Sequence, residues 1–288
     1  MTAAALLRHP ADAQAFARCL AWKLRWWLLG APAGVGLATL RAIFRLWLGI
    51  PPSRSGVRSA GNGPAMRAAV IGAFFHDDEN RLRAFIRAST LLTHTDPRAE
   101  RGAVLVALAA AHALRCGSAD GFIEVALRES AGDPELHEHL ATAAEHLRLG
   151  KCPRDFADAI GLSRGVSGYI HHTVPVALYC WLRTPQSFSE AVGRCIALGG
   201  DSDSTGAIVG ALCGATAGAS RISQSWLDGL VEFPRSISWM RRLAMSLARK
   251  GEPPPPDRRM FVPTLLARNI VFAAIVLAHG LRRLLPPY

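Results

Sequence analysis

The sequence has few aromatic residues and almost no stretch in which polar and apolar side chains alternate. Aromatic residues make up 7% of the 288 positions, whereas half of all residues are apolar, with Ala and Leu the most frequent. This composition favours closely packed helices over sheets, and helical periodicity runs through most of the chain. We find no repeat of the solenoid type. The sequence therefore predicts an all-α fold, a single compact domain of many helices.

Paired cysteines are also absent. The six cysteines are isolated in the sequence, and no two form a C-x-x-C pair. Several lie inside apolar stretches, as small buried side chains do. This pattern argues against a disulfide framework and a zinc site, and it favours a reducing compartment. Because Arg8, His9, Pro10 and Asp12 interrupt the first apolar segment, no signal peptide is indicated and we expect a cytoplasmic protein.

Lysines and acidic residues are scarce, and the formal net charge is +11. Three Lys accompany thirty Arg, and the Arg residues are scattered instead of forming a strip interleaved with aromatic residues. This distribution argues against nucleic acid as a partner, although a contribution of these charges to phosphate binding stays open.

Two apolar segments imitate membrane spans. Residues 20–50 carry four basic side chains, and residues 269–281 are too short to cross a bilayer comfortably. We therefore expect both to be core helices and expect no transmembrane span. A peripheral membrane contact by the C-terminal segment stays open.

Helix and loop signals divide the chain into a helical domain (1–250), a proline-rich linker (251–257) and an apolar helical arm (258–288) that packs back on the domain. Asp96-Pro97 and Asp133-Pro134 each place a capping carboxylate before a first-turn proline. The predicted helices cover residues 11–29, 37–48, 66–75, 79–93, 97–116, 118–129, 134–149, 174–183, 188–197, 204–217, 223–231 and 236–250.

The most informative segment is an acidic turn at residues 199–205, which reads GGDSDST. A helix N-cap needs only one carboxylate, so two carboxylates and three hydroxyls in five residues indicate a site for a hard cation. An EF-hand loop starting at Asp201 fails because its twelfth position is Leu212. A bare phosphate site is disfavoured because both carboxylates would repel the anion.

Glycine recurs every fourth residue in the helix that follows the acidic turn, at Gly206, Gly210, Gly214 and Gly218. This spacing places the glycines in one stripe along the helix. Each interior glycine costs roughly 1 kcal/mol relative to alanine. We therefore expect a buried central helix with another backbone close to the stripe.

At these residues the chain resembles the ADP-ribosylglycohydrolase family, which includes the hydrolase that reactivates ADP-ribosylated dinitrogenase reductase. The family pattern is Gly-Gly-Asp-Thr/Ser-Asp-Thr/Ser before a helix rich in glycine and alanine, and residues 199–204 match it. Two further motifs, GNGPAMR at 61–67 and LTHTDPR at 92–98, agree in order and spacing, and the TVPVA segment at 173–177 is also similar. Together they cover roughly residues 56–220.

The resemblance implies an all-helical domain with magnesium in a central cleft, as one or two ions, with Mn²⁺ as an alternative. Asp201, Asp203 and Ser204 would be metal ligands, and Asp203 would bridge two ions. The implied activity is magnesium-dependent hydrolysis of an ADP-ribosyl N- or O-glycosidic bond, in an ADP-ribosylated protein or a small molecule that contains ADP-ribose.

The resemblance also implies that Asn62 and Gly63 lie near the diphosphate of ADP-ribose and that His94 lies near the ribose. Without it, Asn62-Gly63 is a turn and His94 is a capping or core residue. The HDDE segment at 76–79 fits a helix cap better than a metal cluster. His171 and His172 are expected in a loop, with lining of the cleft left open.

The family supplies further metal ligands from an N-terminal Thr/Ser-Asp-Asp-Thr motif, which this sequence lacks. Asp12 is the one acidic residue among the first 55. The sequence therefore indicates either a start at an internal Met or a deletion. The alternative to the hydrolase is a catalytically inactive helical protein that binds ADP-ribose or a partner. The catalytic residue stays unknown at this stage.

Overall fold

The computed structural model describes residues 1–230, 235–250 and 262–282, and over these residues the fold is helical. They contain three isolated β-bridges and no strand of a sheet, which confirms the predicted all-α fold. Fifteen α-helices make up the described part: α1 Thr2–Arg8, α2 Ala13–Leu29, α3 Leu37–Trp47, α4 Ala68–Phe74, α5 Glu79–Leu91, α6 Pro97–Cys116, α7 Phe122–Ser130, α8 Pro134–Arg148, α9 Pro153–Ala159, α10 Ile170–Arg183, α11 Phe188–Ile196, α12 Ser202–Ala217, α13 Gln224–Asp228, α14 Ile237–Ala248 and α15 Val262–Arg282.

Helix α6 forms the centre of the domain. Asp96 caps it by accepting from the Arg98 N–H, Pro97 occupies its first turn, and Gly117 ends it with a φ of 65°. Twelve of its twenty residues are buried, and α4, α5, α10 and α12 pack around it. The predicted caps at Asp78 and Asp133 are confirmed, since each accepts a hydrogen bond from the first turn of its helix.

Helix α10 begins four residues earlier than the sequence indicates. His171 and His172 therefore lie in its first turn, and the prediction that they lie in a loop is wrong. Pro175 lies inside the helix and cannot donate a hydrogen bond to the His171 carbonyl. His139 Nδ1 approaches that carbonyl oxygen at 3.0 Å instead, so the helix tolerates the proline.

Helix α9 has no counterpart among the predicted helices. It contains seven residues, which is too short for a periodic pattern to be distinguished from a loop. The structure also brings together three of the cysteines that are isolated in the sequence. Cys180, Cys195 and Cys213 are all buried and free, and their thiols lie close enough for Cys195 and burial to raise the pKa of Cys180.

The glycine stripe on α12 packs against side chains, and the expectation of a close backbone is wrong. A Cβ on Gly206 would lie 3.3 Å from Ile196, and one on Gly210 would lie 3.3 Å from Phe188. Gly214 has no neighbour within 4 Å, and Gly218 ends the helix with a φ of 78°. The helix is therefore buried along one side only, and Ala207 and Ala211 are exposed.

The C-terminal apolar segment is exposed, and the prediction of a core helix is wrong for it. Helix α15 runs from Val262 to Arg282, well beyond the predicted 269–281. It meets the domain at the end of α2, where Leu265 and Asn269 contact Gly30. Among the described residues it is the one helix long and apolar enough to cross a membrane, and none of its apolar window is buried. The linker at 251–257 and both ends of the predicted arm, 258–261 and 283–288, lie outside the described residues.

Two glycine substitutions test this packing in opposite directions. A Cβ on Gly72 of α4 would overlap the carbonyl group of Ala107 in α6, so Gly72→Ala should lower the free energy of unfolding by about 3 kcal/mol. Gly214→Ala meets no neighbouring atom and should raise it by about 0.5–1 kcal/mol. Urea unfolding of both variants measures these changes. An unchanged free energy of unfolding in Gly72→Ala would contradict the described contact between α4 and α6.

Candidate functional site

The acidic turn lies where three loops meet. Isolated bridges pair Gly61 with Tyr169 and Val166 with Gly200. The Asn62 N–H donates to the Gly168 carbonyl at 3.0 Å, and the Asp201 N–H donates to the Val166 carbonyl at 2.6 Å. Residues from 61–63, 165–169 and 199–201 therefore form one cluster, although the first and last are about 140 positions apart.

Gly-Gly is required in the acidic turn because of this close approach. Gly199 and Gly200 have φ values of 78° and 77°, which disfavour residues with a side chain. A Cβ on Gly200 would also overlap the backbone of Val166. The two glycines thus let the turn pair with the 165–169 loop and place Asp201 beside it.

Asn62 and Asp201 are joined directly. Asn62 Nδ2 donates to Asp201 Oδ2 at 2.7 Å and lies 3.0 Å from Thr173 Oγ1. The Thr173 hydroxyl donates to the Ser167 carbonyl, also at 3.0 Å. The structure therefore brings two of the predicted site residues together and adds Thr173, which lies in the predicted TVPVA motif.

The two carboxyl groups of the acidic turn are close neighbours. Partial burial raises the pKa of Asp201, but hydrogen bonding with Asp203, Ser204 and Asn62 outweighs it and leaves the pKa below its ordinary value. Asp201 makes no side-chain capping bond. The Ser204 N–H instead donates to Asp203 Oδ1 at 2.9 Å. Asp203 is exposed and the Ser204 side chain is buried, so one carboxylate faces solvent and the other faces Asn62.

Asp12, the one acidic residue ahead of residue 56, does not join this cluster. Its carboxylate accepts from the N–H groups of Gln14 and Ala15 at 2.8 and 3.0 Å and so caps α2. No group of three or more His, Cys, Asp or Glu side chains suited to a metal occurs among the described residues. The donors gathered at the acidic turn are thus two carboxylates and a hydroxyl, and their metal-binding role stays a prediction.

His94 lies under the loop that carries Asn62. Its side chain is 2% exposed, and Nδ1 lies 2.8 Å from Thr93 Oγ1. A Cβ on Gly61 would lie 3.1 Å from Nε2, and one on Gly63 would lie 3.0 Å from Cε1. The imidazole ring therefore packs so closely against the Asn62 loop that only glycine fits at positions 61 and 63. Its predicted contact with a ribose stays a prediction.

Arg67 fastens the same loop to the end of α5. Its guanidinium donates to Ser89 Oγ, to the Ser89 carbonyl and to Thr93 Oγ1 at 2.6–2.8 Å. It also approaches the Gly63 carbonyl at 3.3 Å. Burial lowers the pKa of Arg67 to about 10, so the side chain is charged at neutral pH. Burial, followed by this nearby charge, lowers the pKa of His94 to about 4, so the imidazole is neutral.

Tyr169 and its partners form the part of the site that the sequence does not reveal. The Tyr169 hydroxyl donates to Glu135 Oε2 at 2.6 Å, and the Arg98 guanidinium lies 5.7 Å from the ring centre. His171 is fully buried, with Nδ1 3.0 Å from Glu135 and Nε2 3.2 Å from Asp133. These residues lie in the first turns of α6, α8 and α10 or directly before α8 and α10, and no single local motif contains all of them. The tyrosine is therefore held at the rim of the cluster by contacts distant in sequence.

The helical fold agrees with the comparisons to known proteins. The family model for ADP-ribosylglycohydrolase matches residues 1–256. The chain therefore belongs to the ADP-ribosylglycohydrolase family, which confirms the resemblance.

Three relatives are between about a quarter and a third identical to this chain over the aligned residues. An uncharacterized protein of Archaeoglobus fulgidus is 34% identical over 72% of this chain and 65% of its own length. The ADP-ribosyl-[dinitrogen reductase] glycohydrolase of Rhodospirillum rubrum is 28% identical over 71% and 62%. ADP-ribosylhydrolase ARH3 of Homo sapiens is 28% identical over 60% and 54%. The chain thus spans between about half and two thirds of the length of these relatives.

A solved structure supports the fold. The chain of an "ADP-ribosylglycohydrolase-related protein complex" aligns with a TM-score of 0.62 and 27% identity, over 87% of this chain and 78% of that one.

The buried imidazole predicts a pH effect on stability. Because the pKa of His94 falls from 6.5 to about 4 on folding, the folded state binds fewer protons between these values. His94 therefore contributes stability that is present above pH 6.5 and is lost as the pH falls toward 4. Between pH 7 and pH 5 this loss should amount to about 2 kcal/mol.

Urea unfolding of His94→Gln at both pH values measures this term, because the variant should lose about 2 kcal/mol less than the parent chain. His279→Gln removes an exposed imidazole and serves as the matched control. Equal losses in the parent and His94→Gln would contradict a neutral, buried His94.

Proposed function

We propose that this chain supplies the acidic-turn part of a magnesium-dependent site that hydrolyses an ADP-ribosyl N- or O-glycosidic bond. One observation carries the proposal. The acidic turn places Asp201 and Asp203 two residues apart, and Asp201 Oδ2 accepts from the buried amide of Asn62 at 2.7 Å. Neighbouring carboxylates repel each other, and a bound cation relieves that repulsion.

The residues at the acidic turn fit one hydrated magnesium ion. Mg²⁺ prefers oxygen ligands, is commonly bound by one or two carboxylates, and keeps several waters. Asp201, Asp203 and Ser204 provide two carboxylates and a hydroxyl on one turn. The hydrogen bond from Asn62 occupies Asp201 Oδ2 and fixes the carboxylate, as partners of metal ligands commonly do. Mn²⁺ has similar ligand preferences and is the alternative ion.

The surrounding residues would orient the substrate. Gly63 has no side chain, so its backbone can approach the diphosphate of ADP-ribose closely. His94 and Arg67 hold that loop in place from below. A bound metal ion would orient the ribose hydroxyls and polarise a water. In the reaction the bond between the anomeric carbon and the nitrogen or oxygen of the leaving group breaks, a bond to the water oxygen forms, and the leaving group takes up a proton.

The substrate class follows from the relatives. The Rhodospirillum rubrum enzyme is named for ADP-ribosylated dinitrogen reductase. We propose an ADP-ribosylated protein or a small molecule that contains ADP-ribose as the partner of this chain. The six free cysteines favour a cytoplasmic position for the site.

A second candidate is an ADP-ribose-binding protein without turnover. The observation that favours it is the commitment of Asp12 to the cap of α2. Asp12 is the one acidic residue before Asp77 in the sequence, so the described N-terminal helices offer the acidic turn no further carboxylate. A second metal ion would therefore lack ligands from that side.

Calorimetry and a release assay distinguish these two functions. We expect the chain to bind Mg²⁺ and, in its presence, ADP-ribose. Asp203→Asn should weaken Mg²⁺ binding by more than about tenfold. Loss of a residue that only hydrogen-bonds to a metal ligand already costs about 10- to 100-fold in affinity, and Asp203 is a proposed ligand. Asp158→Asn, which neutralises an exposed carboxylate on α9, is the matched control and should bind as the parent does.

Release of free ADP-ribose from an ADP-ribosylated protein supports the hydrolase. Binding of ADP-ribose without release assigns the second function. No heat in either titration would overturn both.

A further inference from the structure

Helix α15 is the most exposed apolar element of the described structure. It contains 21 residues, which at 1.5 Å per residue give a length of about 31 Å. This length equals the roughly 30 Å hydrocarbon thickness of a bilayer. The most apolar 18-residue window within Pro263–Arg282 has a mean hydropathy of 1.7, and none of that window is buried. Seven of its large apolar side chains are between 47% and 67% exposed: Ile270, Val271, Phe272, Ile275, Val276, Leu277 and Leu281.

Within the described residues, the contacts of α15 with the domain lie in its first half. Asn269 Nδ2 donates to the Gly30 carbonyl at 2.5 Å, and Leu265 lies against the same glycine. From Ile270 onward almost every side chain is exposed. The described part of the domain therefore leaves the apolar second half of α15 largely uncovered.

An exposed aromatic cluster lies on the helices next to this attachment. Trp22 and Trp26 of α2 have ring centres 5.8 Å apart, and Trp26 lies 6.4 Å from Trp47 of α3. The three side chains are 41–54% exposed. The Arg25 guanidinium lies 5.9 Å from the rings of Trp22 and Trp47. Tryptophan with an adjacent basic residue is typical of the headgroup level of a membrane.

The charge of α2 and α3 indicates which kind of partner covers this exposed surface. The sequence has no acidic residue between Asp12 and Asp77 and none after Asp257. Lys23, Arg25, Arg41 and Arg45 therefore give α2 and α3 a purely basic character, which complements anionic lipid headgroups. A second copy of the chain on this face would bring two basic surfaces together, and like charges repel.

We propose that α15 inserts into an anionic phospholipid bilayer, with Trp22, Trp26 and Trp47 at the level of the headgroups. The helix then anchors the helical domain at a membrane surface. This anchoring is independent of the proposed function, because it involves no residue of the acidic turn.

Vesicle flotation with the full chain tests the anchor. We expect the chain to float with vesicles of phosphatidylserine and phosphatidylcholine and to stay with them after a wash with alkaline carbonate. Quenching by lipids brominated along the acyl chain should reduce the tryptophan fluorescence of the parent chain. The quenching experiment requires no variant and so does not depend on whether a variant folds.

A double variant, Val271→Lys with Ile275→Lys, should reduce the bound fraction at least about tenfold, because lysine is costly at the centre of an inserted helix. The control variant Leu114→Lys with Leu149→Lys adds the same charge at exposed leucines on α6 and beside α8, and it should bind as the parent does. A parent chain that stays in solution, that carbonate releases, or that binds equally well with both α15 lysines would overturn the proposal. So would a chain that forms a dimer and ignores vesicles.

Discussion

The hydrogen bond between Asn62 and Asp201 is the interaction on which the site depends. It joins two loops that lie 139 positions apart in the sequence, and a bond to a charged acceptor contributes about 1.5–3 kcal/mol when buried. The partial exposure of Asp201 places its contribution at the lower end of that range. Thr173 and the 165–169 loop add neutral hydrogen bonds around it, so the arrangement holds the carboxylate in one orientation before any ligand arrives.

The rest of the fold holds these loops at a fixed distance. Helix α6 is buried along most of its length, and the helices that carry the three loops pack on it. Small side chains allow this packing, because α4 approaches α6 closely at Gly72. The neutral His94 ring and the charged Arg67 guanidinium, instead of apolar side chains, pack against the Asn62 loop on its buried side. A buried polar support of this kind fixes a loop only while each of its groups keeps its partner.

The sequence reveals those parts of the fold that local chemistry determines. The caps at Asp78, Asp96 and Asp133 follow from residue types within one turn, and the acidic turn and the Asn62 loop follow from short motifs. The glycine stripe on α12 was predicted to meet a backbone, but Phe188 and Ile196 fill that space, because spacing along one helix does not identify the element that packs on it. Helical periodicity did not predict α9, because that helix has only seven residues. It also missed the first turn of α10, because Pro175 lies inside that helix and obscures the pattern.

The network of Tyr169, Glu135 and His171 could not be predicted for a related reason. Tyr169 and His171 lie at the start of α10 and Glu135 lies in α8, and each residue alone fits a surface or a core position. The exposure of α15 could not be predicted either, because an apolar segment has the same sequence pattern whether a protein core or a lipid covers it. Only the three-dimensional arrangement shows that the described domain leaves it exposed.

A double-mutant cycle in urea unfolding tests the central pair most directly. The cycle compares Asn62→Ala, Asp201→Ala and the chain with both changes at neutral pH. If the two side chains stabilise one another as described, the effects of the single variants will differ from additivity by at least about 1 kcal/mol. Additive effects, within about 0.5 kcal/mol, would show that Asn62 and Asp201 act independently and would contradict a site organised around their contact.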